Sequence, residues 1–251
     1  MLPVLRPDWP APTHVHALCT TREGGVSAPP YDSLNLGLHV QDEVQAVMHN
    51  RALLQRACGV RPVFLSQVHG VDVLHVDTQT PDGSQADACW TNAPGVACTI
   101  MVADCLPVLF TDQQGRSVAA AHAGWRGLAA GVLEATLAHL CRASHCEPNE
   151  VMAWLGPCIG PSAFEVGDDV RLAMLEVADA DACFVPTGQP GKWWADLSGL
   201  ARRRLRRAGV SALYGNDSTP LWCTVTEDSR FFSYRRDGRS GRFAACIWLQ
   251  A

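Results

Sequence analysis

Three short apolar runs constrain the fold of this chain more than any other feature of its sequence: residues 96–103, 108–110 and 118–121. Each run is bounded by polar or turn residues, a pattern that favours buried β-strands over helices. The first two runs flank Cys105, and the third ends at His122. Both side chains are therefore predicted to lie where a strand stops and the chain turns, and functional groups concentrate at such positions.

A second histidine has the same setting upstream. Residues 63–65 are predicted to form a short strand, which leads directly into His69. We expect His69, Cys105 and His122 to converge on one metal ion, although 36 and 17 residues separate them along the chain. Two imidazoles and one thiolate match the three protein ligands of a catalytic Zn²⁺ site, which keeps one coordination position open. The same donors also suit copper.

A metal-free interpretation of these residues stays open. Cys105 would then act as a nucleophile with His122 as its general base, and Asp104 or Asp87 would orient the imidazole. This arrangement is typical of a thiol hydrolase or a deamidase. Because a bound metal would occupy the Cys105 thiolate as a ligand, metal content separates the two hypotheses.

The overall composition indicates a globular protein without a nucleic-acid or membrane partner. The chain has 251 residues, 47% of them hydrophobic, and no internal repeat divides it, which favours one domain over residues 1–251. A net charge of −5 provides no basic field for nucleic acid or an anionic membrane. The N-terminal segment lacks the order of a signal peptide, and no apolar run reaches the roughly 20 residues that span a bilayer, so a cytoplasmic location is predicted.

Eleven cysteines are scattered along the chain without a Cys-X-X-Cys pair. This distribution argues against a zinc ribbon, a thioredoxin-type redox site and a disulfide framework. Most of the cysteines are therefore expected to be small hydrophobic residues of the core.

Hydrophobic periodicity predicts helices at residues 42–57, 128–141, 166–177 and 197–208. Residues 71–76 alternate in part and are expected to form a hairpin partner of the strand before them. The last helix carries five arginines between positions 202 and 207. A solvated face is the favoured interpretation, with three leucines turned inward: Leu197, Leu200 and Leu205. The alternative is a docking surface on a non-catalytic metal-binding or partner-binding protein.

Seven short motifs cover nearly the whole chain in order: TREGGVS at 21–27, SLNL at 33–36, QVHG at 67–70, ADCLP at 103–107, AHAGWRG at 121–127, GPCIGP at 156–161 and SYRRDG at 233–238. Each is short, but the set resembles the laccase-domain family. That family is also called multicopper-polyphenol-oxidase-like, purine nucleoside phosphorylase or peptidoglycan editing factor. The three expected ligand positions show no departure from the family pattern.

This resemblance implies a single-domain layered α/β sandwich with mixed β-sheets, similar to the catalytic domains of cysteine-dependent deamidating toxins. It implies that His69, Cys105 and His122 bind Zn²⁺, or copper, and serve catalysis. The implied activities are phosphorolysis of adenosine, inosine and methylthioadenosine, and deamination of adenosine. The alternatives are a Cys–His amidase that edits a peptidoglycan precursor and a copper-dependent polyphenol oxidase.

Two sequence features argue against particular members of this set of implied activities. The chain has nine histidines and one His-X-His pair, which is too few for a multicopper centre. The nucleotide-deaminase signature, His-X-Glu with Pro-Cys-X-X-Cys, is absent. Any deamination would therefore come from an unrelated type of site, although zinc chemistry suits hydrolytic attack on purine C6.

Phosphorolysis requires an anion site beside the ribose. Guanidinium groups pair bidentately with phosphate, so Arg22, Arg126 and Arg235 are the predicted phosphate ligands. Asn35 is the candidate for a ribose hydroxyl, and Asp104 is a further candidate for substrate binding. For each arginine, a structural hydrogen bond to loop carbonyls is the alternative. The predicted partners are a purine nucleoside and phosphate, with no prediction of oligomeric state.

Overall fold

Two mixed β-sheets form the centre of the molecule in the computed structural model, which describes residues 2–174 and 180–250. The strands, in chain order, are β1 (Val4–Leu5), β2 (Val15–Thr20), β3 (Arg61–Phe64), β4 (Val73–His75), β5 (Ala88–Thr91), β6 (Val96–Val102), β7 (Leu106–Asp112), β8 (Val118–Ala123), β9 (Val151–Leu155), β10 (Glu165–Gly167), β11 (Phe184–Pro186), β12 (Lys192–Ala195), β13 (Ala212–Gly215) and β14 (Phe243–Leu249). The α-helices are α1 (Val44–Cys58), α2 (Trp125–Ala130), α3 (Val132–Ser144), α4 (Asp168–Met174), α5 (Leu197–Arg207) and α6 (Tyr234–Asp237).

Each of the two large sheets combines parallel and antiparallel pairs. The five-stranded sheet has the order β1-β2-β14-β6-β3, and only the β3–β6 pair in it is parallel. The six-stranded sheet has the order β13-β9-β7-β8-β5-β4, with parallel pairs at its two edges. Strands β10, β12 and β11 pair in that order as a third, small antiparallel sheet.

The two large sheets pack against each other across an apolar core. Side chains alternate between the two faces of a strand, so Leu109 of β7 points between the sheets while Val108 and Phe110 point to the opposite face. Ile100 of β6 meets this core from the five-stranded sheet. Strands buried on both faces have nearly continuous apolar sequences, which explains the three runs of the sequence.

Helices cover both outer faces of the paired sheets. Leu133 and Leu140 of α3 and Leu205 of α5 pack on the six-stranded sheet, and Leu54 of α1 packs on the five-stranded sheet beside Leu18. This layering confirms the α/β sandwich with mixed sheets. The similarity to deamidating toxins stays a prediction. No helix within the described ranges has the length and apolar character needed to cross a membrane.

The structure departs from the predicted elements at three places. The helix predicted at 128–141 is divided by Gly131. The φ of this residue is +98°, in the left-handed region, so α2 ends there and α3 begins at the next residue. The hairpin at 71–76 is wrong, because β4 pairs in parallel with β5. The helix predicted at 166–177 begins at Asp168, and its last residues lie outside the described ranges.

The inward leucines of the arginine-rich helix are confirmed. Leu197, Leu200 and Leu205 are each at most 2% exposed. Arg202 from the same helix is only partly exposed and donates to the carbonyls of Tyr214 and Gly215, at the end of β13. That part of the basic run therefore stabilises the fold rather than forming a free surface.

Candidate metal centre and its pocket

The side chains of His69, Cys105 and His122 meet at one point of the molecule. Their candidate ligand atoms all lie within 4.8 Å of one another. Nε2 of His69 lies 3.7 Å from Sγ of Cys105, and the two imidazole rings are 4.7 Å apart at an angle of 66°. The structure thus brings together three residues that are distant in the sequence.

The six-stranded sheet positions two of these side chains. Cys105 lies in the turn between β6 and β7, immediately before β7 begins, and His122 is the penultimate residue of β8. Because β7 and β8 are antiparallel neighbours with Pro107 opposite His122, the start of one strand lies beside the end of the other. Both residues therefore occupy the same end of the sheet, as the strand-end prediction requires.

His69 is held by its backbone rather than by a strand. Its φ of 63° lies in the left-handed region, which is uncommon for a residue with a side chain. The neighbouring amide of Gln67 fixes the start of this loop, because Nε2 donates to the carbonyl of Met101 at 2.8 Å and Oε1 accepts from its N–H at 2.9 Å. The loop is thereby attached to β6, next to the Cys105 turn.

Asp87 connects the loop of His69 to the imidazole of His122. Its carboxylate is buried and accepts hydrogen bonds from the backbone N–H groups of Val68, His69 and Gly70, at 2.7–3.0 Å. Oδ1 also lies 2.8 Å from Nδ1 of His122. Because Nδ1 is engaged in this way, Nε2 of His122 is the nitrogen presented to Cys105 and His69.

Gly124 provides the space in which the three side chains meet. A Cβ at this position would lie 2.7 Å from Cδ2 of His69 and 2.9 Å from Sγ of Cys105. Its φ of −66° is open to any residue, so packing against the ligands, and not backbone conformation, requires glycine here. The motif at 121–127 therefore supplies both a candidate ligand and the space for its neighbours.

The three groups perturb one another electrostatically. Burial raises the pKa of the Cys105 thiol, but the charge of His122 and the hydrogen bonds from both histidines outweigh it and lower the pKa to about 6. Burial lowers the pKa of His122, but the Cys105 charge and the bond to Asp87 raise it to about 9. Burial also opposes ionisation of Asp87, yet its hydrogen bonds to His122, Gly70 and Val68 hold its pKa at about 2.

This donor set fits a single metal ion. A thiolate is the form of cysteine that binds metal, and the interactions around Cys105 favour it. A carboxylate behind a ligating histidine is the usual partner in zinc sites, and Asp87 occupies that position behind His122. Three nitrogen and sulfur donors with one open side match a catalytic Zn²⁺ site, while the donor types also admit copper.

The triad lines a pocket of about 560 Å³. This volume lies within the range of small-molecule sites, about 300–1,000 Å³. Aromatic side chains on its wall are Trp125, Phe164 and Tyr234, and cationic side chains are Arg126, Arg235 and Arg242. His39 adds an imidazole whose pKa is lowered by burial and by the charge of Arg242. The pocket therefore offers both flat apolar surfaces and positive charge beside the candidate metal-binding residues.

Three of the predicted substrate-binding residues line this pocket: Asp104, Arg126 and Arg235. The guanidinium of Arg126 stacks 4.2 Å from the ring centre of Trp125. Arg235 donates through NH1 to the carbonyl of Glu165 at 3.1 Å. Asp104 accepts from the hydroxyl of Thr224 at 2.6 Å and from the N–H of Arg235 at 2.7 Å, so its carboxylate ties the α6 segment to the Cys105 turn.

The other two predicted residues, Arg22 and Asn35, lie outside the lining of this pocket. Arg22 donates to the carbonyls of Asp32 and Asp228, at 2.9 and 3.0 Å, and borders a separate surface depression. The buried Asn35 amide is occupied by Gly37, Asp42 and the N–H of Arg242. For Arg22, the structural alternative of bonds to loop carbonyls describes what is observed.

Sequence reasoning missed two basic residues of the pocket, His39 and Arg242. His39 lies in the short 3₁₀ helix Leu38–Val40, and Arg242 immediately precedes β14. Neither has a neighbouring motif that indicates a binding role. Only the sheet order, which places β14 beside β6, brings Arg242 near the Cys105 turn. Gly124 lies within the motif at 121–127, but its contacts with His69 and Cys105 depend on the fold.

The chain is similar to bacterial proteins over nearly its whole length. The model of the family described as multi-copper polyphenol oxidoreductase laccase matches residues 16–250. A purine nucleoside phosphorylase of Pseudomonas aeruginosa is 53% identical over 247 residues, which cover 98% of each chain. Purine nucleoside phosphorylase YfiH of Escherichia coli K12 is 50% identical over 252 residues, covering 99% of this chain and 100% of that one.

Solved structures of related proteins have the same fold. The Neisseria meningitidis protein NMB0706 superposes with a TM-score of 0.93 at 48% sequence identity, and the match covers 99% of both chains. YlmD from Geobacillus stearothermophilus superposes with a TM-score of 0.87 at 31% identity, over 95% of this chain and 93% of that one. The likeness extends through both large sheets and is not confined to the pocket.

Proposed function

The chain belongs to the multi-copper polyphenol oxidoreductase laccase family, and from that premise we propose that it is a metal-dependent purine nucleoside phosphorylase. The names of its relatives support a reaction on purine nucleosides. The observation that carries the proposal is the shared pocket, in which the His69–Cys105–His122 triad lies beside cationic and aromatic side chains. Phosphorolysis brings a nucleoside and phosphate together in one site, and the aromatic and cationic side chains suit these two reactants.

The proposed metal is Zn²⁺, held by His69, Cys105 and His122, with copper as the alternative. When bound, such an ion supplies Lewis-acid polarisation at an open coordination position. The chain's own residues fix that site. Asp87 orients His122 and, through three backbone N–H groups, the loop that carries His69.

The pocket wall is proposed to orient the nucleoside. Phe164, which is buried, and the more exposed Tyr234 offer ring faces on which a purine stacks. Arg126 and Arg235 add positive charge at the pocket, and Asp104 positions Arg235 through its backbone N–H. Their positive charge favours an anionic co-substrate in the pocket.

The finer parts of the proposal are the substrates adenosine, inosine and methylthioadenosine, a deamination of adenosine, and a cytoplasmic location. Deamination rests on the same triad and needs water in place of phosphate as the second reactant. Polyphenol oxidation has less support from the site. The described residues contain one group of at least three metal-binding side chains, whereas a multicopper centre needs several.

Product analysis tests the proposed function. The metal-loaded protein is incubated with each nucleoside in the presence and absence of inorganic phosphate, and bases and sugars are separated by chromatography. We expect free base together with an equal amount of the sugar 1-phosphate, formed only with phosphate present: ribose 1-phosphate from adenosine and inosine, and 5-methylthioribose 1-phosphate from methylthioadenosine. Formation of free ribose, or no turnover of any of the three nucleosides, would contradict phosphorolysis. Loss of turnover in His122→Ala, with the fold retained, links the activity to the triad.

A second candidate function is a Cys–His amidase that edits a peptidoglycan precursor. The observation in its favour is the sequence of contacts from Cys105 to His122 to Asp87, with a thiolate of low pKa beside an imidazole of raised pKa. Under this hypothesis, the metal-free protein cleaves an amide bond of the precursor and Cys105→Ala does not. If the metal-free protein does not cleave the precursor, and Zn²⁺ restores phosphorolysis of a nucleoside, the amidase hypothesis is excluded in favour of the phosphorylase.

A further inference from the structure

Arg242 places a guanidinium with unused donors on the wall of the pocket. Its NH1 donates to the carbonyl of Ser240 at 2.9 Å, to the Ser240 hydroxyl at 3.4 Å and to the carbonyl of Gly241 at 3.0 Å. These contacts hold the plane of the guanidinium. Within the described ranges, Nε and NH2 have no hydrogen-bond partner and no carboxylate within ion-pair distance. Because the side chain lines the pocket, these two donors are available to a ligand there.

The base of the Arg242 side chain is held by two neighbours. Its backbone N–H donates to Oδ1 of the buried Asn35 at 2.8 Å. Gly37 lies against it, and a Cβ there would come within 2.9 Å of Cγ of Arg242 and 3.4 Å of Cε1 of His39. Asn35, which lies outside the pocket lining, therefore positions the backbone of Arg242.

The protein supplies no direct counter-charge for this guanidinium. Burial lowers the pKa of Arg242, which reflects the cost of holding the cation away from water, while the charges of Cys105 and Asp104 act in the opposite direction. The Asp104 carboxylate is already engaged by Thr224 and by the N–H of Arg235. A metal ion would bind the Cys105 thiolate. Holding a half-buried cation without a paired anion costs folding free energy, because the charge loses part of its hydration. A bound oxyanion offsets this loss.

We infer that Arg242 is the phosphate-binding residue of this pocket and takes inorganic phosphate bidentately on Nε and NH2. The identity of the co-substrate rests on the proposed function, whereas the subsite rests on the contacts of Arg242. Arg126 is less suited to this role, because it is exposed and its guanidinium stacks on Trp125. Arg235 is exposed as well, and its NH1 is shared with the carbonyl of Glu165.

Titration calorimetry of the metal-loaded protein with inorganic phosphate tests this subsite. We expect Arg242→Gln to raise the Kd for phosphate about 10- to 100-fold, since it removes a charged bidentate partner. Arg242→Lys keeps the positive charge but loses the pair of parallel N–H donors, and it is expected to raise the Kd by a smaller factor. Arg142→Gln, on the exposed side of α3, is the matched control and leaves the Kd unchanged.

Gly37→Ala tests the same inference without removing the guanidinium. Its φ of −90° accepts alanine, so the variant is expected to fold, but the added methyl group displaces Arg242 and weakens phosphate binding. Equal Kd values for phosphate in wild type and Arg242→Gln would overturn the inference. So would a wild-type protein that binds adenosine 5′-monophosphate but not inorganic phosphate, because the subsite would then serve a phosphate carried on the nucleoside.

Steady-state kinetics separates this inference from the proposed function. If both are correct, Arg242→Gln raises KM for phosphate about 10- to 100-fold and leaves KM for inosine within about threefold. Phosphorolysis with an unchanged KM for phosphate in this variant would retain the proposed function and overturn the subsite. Arg242-dependent phosphate binding without turnover of any nucleoside would retain the subsite and overturn the proposed function.

Discussion

Oδ1 of Asp87 lies 2.8 Å from Nδ1 of His122, and both side chains are almost completely buried. The same carboxylate accepts the backbone N–H groups of residues 68–70, so one aspartate fixes the imidazole of one candidate ligand and the loop of another. We therefore expect Asp87→Asn to raise the Kd for Zn²⁺ about 10- to 100-fold, as loss of a carboxylate behind a ligating histidine does. Competition with a chromophoric chelator measures this change.

Asp112→Asn is the matched control for that variant. Asp112 is also fully buried and accepts from the backbone N–H groups of Gln114, Arg116 and Ser117, but its side-chain partners are Arg116 and Ser144 and not a candidate metal ligand. It should lose about 1–3 kcal/mol of unfolding free energy while the Kd for Zn²⁺ stays within a factor of two to three. Equal effects of both substitutions on metal affinity would show that Asp87 acts through general stability alone.

Alkylation of the metal-free protein tests the electrostatics of Cys105. Its pKa of about 6 predicts that the rate of modification by iodoacetamide rises with pH to half its maximum near pH 6, because only the thiolate reacts. Cys141 and Cys146 are partly exposed but have raised pKa values, so they should remain slow at pH 7. Peptide mass spectrometry identifies the modified residue. A midpoint near the ordinary thiol value, or preferential modification of Cys146, would contradict this assignment.

Gly124→Ala tests the packing around the three ligands. The backbone tolerates alanine, but its methyl group would meet His69 and Cys105 at less than 3 Å. We expect at least about a 10-fold loss of Zn²⁺ affinity, because ligating atoms must hold positions within a few tenths of an ångström. The comparison variant is Gly83→Ala, whose φ of +85° disfavours alanine but whose surroundings are empty. It should lower the melting temperature without changing metal affinity.

Acid unfolding tests the buried Asp112 cluster. Burial raises the pKa of this carboxyl, but the bonds from Arg116 and Ser117 outweigh it and lower the pKa below its ordinary value. A depressed folded-state pKa contributes stability that is present above the unfolded pKa of about 3.9 and is lost as pH falls through the folded value. The difference in unfolding free energy between wild type and Asp112→Asn should thus be largest at pH 5–7 and shrink below about pH 4. Urea titrations that give a constant difference down to pH 3 would contradict it.

The resemblance of the motifs to a known family implied the layers of the fold, and the strand-end positions of the three candidate ligands predicted their meeting. Apolar runs identify buried strands, and residues beside strand ends meet when those strands are neighbours, as Cys105 and His122 do across β7 and β8. The helix break at Gly131 was missed because the apolar pattern continues across it, although the backbone there is left-handed. The parallel pairing of β4 was missed because alternation within a strand carries no information about its neighbour.

The pocket was harder to predict than the ligands. The sequence around an arginine does not tell whether its guanidinium binds a ligand, as proposed for Arg242, or supports a loop, as Arg22 does. The distinction depends on which donors are already occupied, and that is fixed by contacts between segments some 200 residues apart, such as Asn35 with Arg242. Chemistry alone indicated the residue type now proposed to bind phosphate, arginine, but not its position.

The most direct test of the account is elemental analysis of the purified protein by plasma mass spectrometry, with His69→Ala, Cys105→Ala and His122→Ala alongside. We predict one equivalent of metal, Zn²⁺ in the first instance, per wild-type chain, and near-complete loss in each variant with circular dichroism unchanged. A folded His122→Ala protein that retains one equivalent of metal and full activity would contradict the claim that these three side chains hold a single catalytic ion.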